Sequence, residues 1–167
     1  MSFVDRLEAA FRRGDAVSEQ FALRRAARLA AVQALYQMEV SGASTAEVAA
    51  DFDAGRLPRL EEAPRLDGEG DVALFKTLTE TAVDRQQTID RAIARRLGKG
   101  WKLERIDAVA RAILRAGAVE LEQRPDIPTA VVIDEYVEIA KAFFDGPEPA
   151  FVNAALDACA RDLRGAA

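Results

Sequence analysis

Histidine is absent from the 167 residues, and cysteine occurs once, at Cys159. Without histidine there can be no Ser-His-Asp or Cys-His triad, no histidine-bearing zinc site and no imidazole acid–base chemistry. A single cysteine excludes an internal disulfide framework and points to a reducing compartment. Aromatic residues make up only 7% of the chain. No stretch approaches the roughly 18 consecutive apolar residues that a membrane span needs, so no membrane role is expected. Nor is there a signal-peptide core: Met1 to Gly14 reads as a short amphipathic helix carrying Arg6, Arg12 and Arg13. These absences predict a cytoplasmic protein.

What is present is helical. Half of the chain is hydrophobic, enough for one domain that buries roughly 70% of its unfolded surface. Apolar residues step by four at Phe3, Leu7 and Phe11, at Val32, Tyr36 and Val40, and at Ile89, Ile93 and Leu97, and no alternating Val/Ile/Thr run competes with that period. The spacing predicts a leading helix over about 2–13 and seven main helices: about 20–41, 44–55, two within 71–97 (or one broken helix), 103–123, 128–144 and 149–164. Ser44 and Glu47 have capping-box spacing at the second of these. Residues 55–70 and 145–149, rich in Gly and Pro, read as loops. The fold class is all-α, with residues 1–19 as an N-terminal helical extension and 20–164 as a single helical domain.

Charge is uneven along the chain. Residues 51–80 hold four basic and eight acidic side chains, and 126–167 hold three and eight, whereas 81–100 hold five and two. Between Arg24 and Met38 there are three arginines and no acid. Arg24 and Arg28 share a helix face, with Arg25 about 100° round. A locally basic helix in a protein of net charge -5 suits either a small contact with a polyanion or a solvated helix face.

Nothing supplies the parts of an enzyme. Cys159 lies in Ala154-Ala-Leu-Asp-Ala-Cys-Ala160, the setting of a buried structural thiol. Asp134, Glu135 and Glu138 share one helix, but di-metal bundle sites pair such carboxylates with a His three residues on, and none exists. They read as a charged outer face or a partner surface, with no metal and no cofactor. Gly98-Lys-Gly100 lacks the Gly-Lys-Ser/Thr and the strand of a P-loop. Trp101 and Phe75 read as core. Phe143 and Phe144, adjacent, point to different faces, and Phe151 is either a core staple or an exposed aromatic for a base.

Four blocks in one order resemble the NusB family of bacterial transcription antitermination factors: Arg24-Arg-Ala-Ala-Arg-Leu-Ala-Ala-Val-Gln-Ala-Leu-Tyr36; Val109-Ala-Arg-Ala-Ile-Leu-Arg-Ala-Gly-Ala-Val-Glu-Leu121; Asp126-Ile-Pro128 with Ile133-Asp-Glu-Tyr-Val-Glu-Ile-Ala-Lys141; and Phe151-Val-Asn-Ala-Ala-Leu-Asp157. The resemblance implies two packed helical halves and no enzyme activity. It implies binding of single-stranded boxA-type RNA from ribosomal RNA leaders, together with the small-subunit ribosomal protein that acts as NusE. The complex would join RNA polymerase and other Nus factors and carry elongation through terminators. On this resemblance Arg24, Arg25 and Arg28 would contact phosphates, Tyr36 and Phe151 would offer aromatic surface, and Glu104, Asp134 and Glu138 would meet the basic ribosomal protein.

The chain also departs from the family. Members commonly carry an acid-Ser-His-Lys-like stretch before Phe-Val-Asn, where this sequence reads Gly146-Pro-Glu-Pro-Ala150. That removes positive charge and leaves open a scaffold or homodimer of the same fold with lost or altered RNA binding. The resemblance itself leaves open a second alternative, an RNA-recognition module acting with a ribosomal RNA methyltransferase.

Overall fold

A computed structural model describes residues 19–54, 69–98 and 102–165. Among them are seven α-helices and no strand: α1 (Glu19–Ser41), α2 (Thr45–Asp53), α3 (Glu69–Asp84), α4 (Gln86–Arg95), α5 (Ala108–Gln123), α6 (Thr129–Phe143) and α7 (Glu148–Leu163). A 3-10 turn at Leu103–Arg105 precedes α5. The leading helix expected at 2–13, Trp101 and the stretch 55–68 lie outside the described residues.

Local chemistry sets the boundaries. Gly42, at φ +75°, ends α1, and its N–H donates to the Met38 carbonyl at 2.9 Å; few side chains tolerate that conformation. The Ser44 hydroxyl accepts the Glu47 N–H at 3.1 Å and caps α2, as its spacing predicts. The periodic run 71–97 divides at Arg85, between α3 and α4. Helix α5 starts later than its periodicity suggests, because the Asp107 carboxylate accepts from the N–H of Val109 at 2.8 Å and of Ala110 at 3.4 Å. Prolines stand at the threshold of the last two helices, Pro128 before α6 and Pro147 before α7.

Helix α5 is the axis of the molecule. Eleven of its 16 residues are buried, as expected of a helix surrounded by others, and α1, α3, α4, α6 and α7 all pack on it. One half is α1–α3, where Phe52 stacks on Phe75 with ring centroids 4.1 Å apart; the other is α4–α7. Gly117 lets α6 and α7 close on α5: a Cβ there would lie 2.9 Å from Leu156 Cδ1 and 3.3 Å from Tyr136 Cδ2. Past the end of α7, the Arg164 guanidinium donates to the carbonyls of Leu121 and Arg124 at 2.7 Å and of Ile127 at 2.6 Å. It thereby satisfies backbone acceptors that the end of α5 leaves open. Cys159 is buried, and burial pushes its thiol up to about 11, as a structural thiol requires.

Candidate nucleic-acid interface

The first turns of α1 carry Arg24, Arg25 and Arg28, and burial distinguishes the three. Arg28 is 1% exposed. Its Nε donates to both Glu120 oxygens, at 2.9 and 3.1 Å, and its Nη2 to Glu120 Oε2 at 2.7 Å. Glu120, fully buried, also accepts the Tyr136 hydroxyl at 2.8 Å. Burial works against the charge on Arg28, but the Glu120 bonds outweigh it and raise the guanidinium pKa. Burial, followed by the Glu120 charge, holds the Tyr136 hydroxyl well above its ordinary range. The expectation that Arg28 contacts a phosphate is therefore corrected. A cation withdrawn from water must be paired, and Arg28 is an internal one that ties α1 to α5 and α6.

Arg25 lies nearer the surface. Its Nε donates to both Glu135 oxygens at 2.9 Å, its side chain is 21% exposed, and its guanidinium stands 5.7 Å over the Phe21 ring. Arg24 is half-buried. It lies close enough to Asp126 to help lower that carboxyl to about 2, an effect due first to the Arg124 hydrogen bond. Glu135 is itself buried, so the reading of Asp134, Glu135 and Glu138 as one outer face is corrected for Glu135. Asp134 is exposed, and Glu138 accepts from Lys141 at 3.1 Å.

The other end of α1 forms a second place. Glu39, about 21 Å further along the axis than Arg25, pairs with Arg111 and Arg115. Those bonds, led by the one from Arg111, hold the Glu39 carboxyl below the usual range. Around it lies a groove of about 550 Å³, lined by Met38, Ala43, Val83, Gln86, Glu104 and Arg111 among others. Val83 is 41% exposed, as are Tyr36 (39%) and Val40 (63%) on the neighbouring turns of α1. Glu104 is exposed at the groove, whereas Asp134 and Glu138 sit on α6, the helix that meets the start of α1. The acids expected to meet the basic partner thus lie at opposite ends of α1, Glu104 at one and Asp134 with Glu138 at the other. Phe151, on the first turn of α7, is half-buried and packs against the core.

The NusB family model matches residues 25–161. The chain belongs to the NusB family. It is 57% identical over 141 residues to the transcription antitermination protein NusB of Caulobacter vibrioides, covering 84% of this chain and 94% of that one. The same-named protein of Maricaulis maris is 51% identical over 142 residues, covering 85% and 88%. Among solved structures, NusB of T. maritima shares 30% identity at a TM-score of 0.68, covering 83% of this chain and 91% of that one. A complex of antitermination factors NusB and NusE with double-stranded RNA shares the fold at a TM-score of 0.70 and 24% identity, covering 84% and 97%.

Within this NusB fold, the residues that sequence reasoning missed are Glu120, Tyr136 and Glu135, the partners of the arginines. A signal was available: Glu120 stands three residues from Gly117 and seven from Ile113 on a buried face, and Tyr136 falls between Ile133 and Ile139 on another. A carboxylate and a phenol at core positions call for a buried cation.

Proposed function

We propose that this protein is a non-enzymatic antitermination factor of the cytoplasm that binds boxA-type single-stranded RNA together with NusE. The observation that carries the reading is the family membership combined with the start of α1, where Arg24 and Arg25 remain at or near the surface after Arg28 is withdrawn. These two supply guanidinium contacts to phosphates, Phe151 a half-buried aromatic edge, and Tyr36 an exposed one further along α1. A basic partner has two acidic places to meet: the groove with Glu104, flanked by the apolar Tyr36, Val40 and Val83, and the α6 face with Asp134 and Glu138. The groove is the better match to a protein interface, because it joins apolar surface to a charged rim. A solved complex of NusB and NusE with double-stranded RNA, whose fold this chain shares, supports the reading.

The test is fluorescence anisotropy with a boxA-like RNA and a scrambled control, with and without the ribosomal partner. Sequence-selective binding that the partner strengthens, and that Arg24→Ala with Arg25→Ala weakens, supports the reading. Glu104→Lys is expected to weaken the partner's effect more than Asp134→Lys. Absence of RNA binding with the partner present would defeat the proposal and leave the acidic Gly146–Ala150 stretch as the mark of a scaffold that has lost RNA.

A further inference from the structure

The proposed RNA contacts leave four basic residues between 91 and 105 unused, and these differ from most of the other described cations. Among the described residues, Arg25, Arg28, Arg85, Arg96, Arg111, Arg115, Arg124, Lys141 and Arg161 each hold a carboxylate, and Arg164 holds three carbonyls. Arg91, Arg95, Lys102 and Arg105 are all exposed, and their side chains have no ion pair or hydrogen bond among the described residues. Of the carboxylates nearby, all but Glu104 are committed elsewhere. Asp90 receives Arg115 at 2.8 and 2.9 Å, Asp162 is held by Arg96, and Asp107 caps α5. Glu104 lines the groove.

Arg91 and Arg95 are one helical turn apart on α4, on the side opposite the buried Ile89, Ala92 and Ile93. That spacing, about 6 Å between Cβ atoms, is near the separation of successive phosphates on a single strand. The 3-10 turn carrying Arg105, with Lys102 just before it, packs beside α4. Arg95 near the end of α4 also complements the helix dipole, but that accounts for one cation of four. The remaining exposed residues of α4 include Gln87, Thr88 and Ala94, none aromatic. A protein interface would want an apolar or aromatic centre, and base stacking would want a ring; the strip offers neither.

We propose that Arg91, Arg95, Lys102 and Arg105 form a second RNA contact that binds phosphates without reading sequence. It rests on the RNA-binding reading above. Helix α4 packs on α5 and α7, whereas the start of α1 lies against α6, so the strip serves nucleotides flanking those at α1. It adds four cations to the two at α1, enough to raise the salt slope of a single-strand complex by about 2 to 3.

The experiment uses the full chain and a boxA-like single strand extended by flanking nucleotides, beside an equally long strand with the core scrambled, each titrated at several salt concentrations. Replacing Arg91, Arg95, Lys102 and Arg105 together by Ala is expected to weaken both RNAs by the same factor, about tenfold or more at low salt. The salt slope should fall by about 2 to 3 while the preference for the boxA-like core stays unchanged. The Arg91→Lys, Arg95→Lys variant should bind as the wild type does. Replacing Lys76 and Lys141, exposed cations elsewhere, should leave the slope in place. A wild type that binds RNA, with an unchanged slope and affinity in the fourfold variant, would overturn the strip and leave it to an acidic protein surface. A loss confined to the boxA-like strand would overturn its sequence independence. A wild type that binds neither RNA would overturn the function proposed above and this contact with it.

Discussion

At the scale of single residues, the arginines of α1 show how one side-chain type serves two purposes a turn apart. Arg28 and Glu120 form a buried pair with 1% and no exposure; breaking such a pair from one side strands a charge in the interior. Arg28→Met and Glu120→Leu, each alone, are expected to destabilise the fold by about 3–5 kcal/mol, whereas the two together should cost less than the sum, with the Tyr136 hydroxyl left short of its acceptor. Urea unfolding of the three variants checks this, and an additive double variant would show that the pair is not coupled. Arg25 is held by Glu135 at 2.9 Å, so a phosphate arriving at Arg25 must compete with a carboxylate. Glu135→Gln removes that competitor's charge and is expected to lower the Kd for RNA a few-fold. The gain should vanish when Arg25→Ala is added, and an affinity unchanged by Glu135→Gln would mean that Arg25 does not meet the RNA.

At the scale of elements, the close approach at Gly117 decides how tightly α6 and α7 sit on α5. Alanine there gains up to about 1 kcal/mol of helix propensity. Its Cβ, however, would stand 2.9 and 3.0 Å from the two Leu156 methyls, and Leu156 is fully buried and cannot swing into solvent. Overpacking of this kind costs about 1–3 kcal/mol, so Gly117→Ala is expected to destabilise on balance, and a raised midpoint of thermal unfolding would contradict the packing described. The elements themselves were largely legible in the sequence. Apolar steps of three and four residues located α1, α6 and α7 to within a residue or so, and the spacing of Ser44 and Glu47 located a cap that forms. Two boundaries were less visible. The break at Arg85 carries no Gly or Pro, and the first turn before α5 keeps an apolar rhythm, with Leu103 and Ile106 buried, although its backbone is not α-helical. The candidate site was legible only in part, because whether an arginine faces water or a carboxylate depends on residues far along the chain. Glu120 is 92 residues from Arg28, and no local spacing encodes that meeting. Tyr36 is exposed, which leaves it accessible to a ligand without showing that one is met there.

At the scale of the whole molecule, the composition constrains how any RNA contact responds to its surroundings. The chain carries 23 basic and 28 acidic residues and no histidine, so its attraction to RNA comes from small patches set against a net repulsive field. Between about pH 6 and 8.5 no side chain with an ordinary pKa changes charge, since histidine is the group that would. The shifted groups move out of that window rather than into it, with Asp126 at about 2, Cys159 at about 11 and Tyr136 raised above the usual tyrosine range. RNA affinity of the isolated protein is therefore expected to be nearly flat across that range while falling steeply with added salt, because every contributing arginine and lysine stays charged as counterions are displaced. Anisotropy titrations on a grid of pH and salt measure both slopes at once. A sigmoidal loss of binding centred near pH 6.5 would require a titrating group at the interface that the sequence does not contain, and would defeat the account of RNA binding by arginine and lysine patches alone.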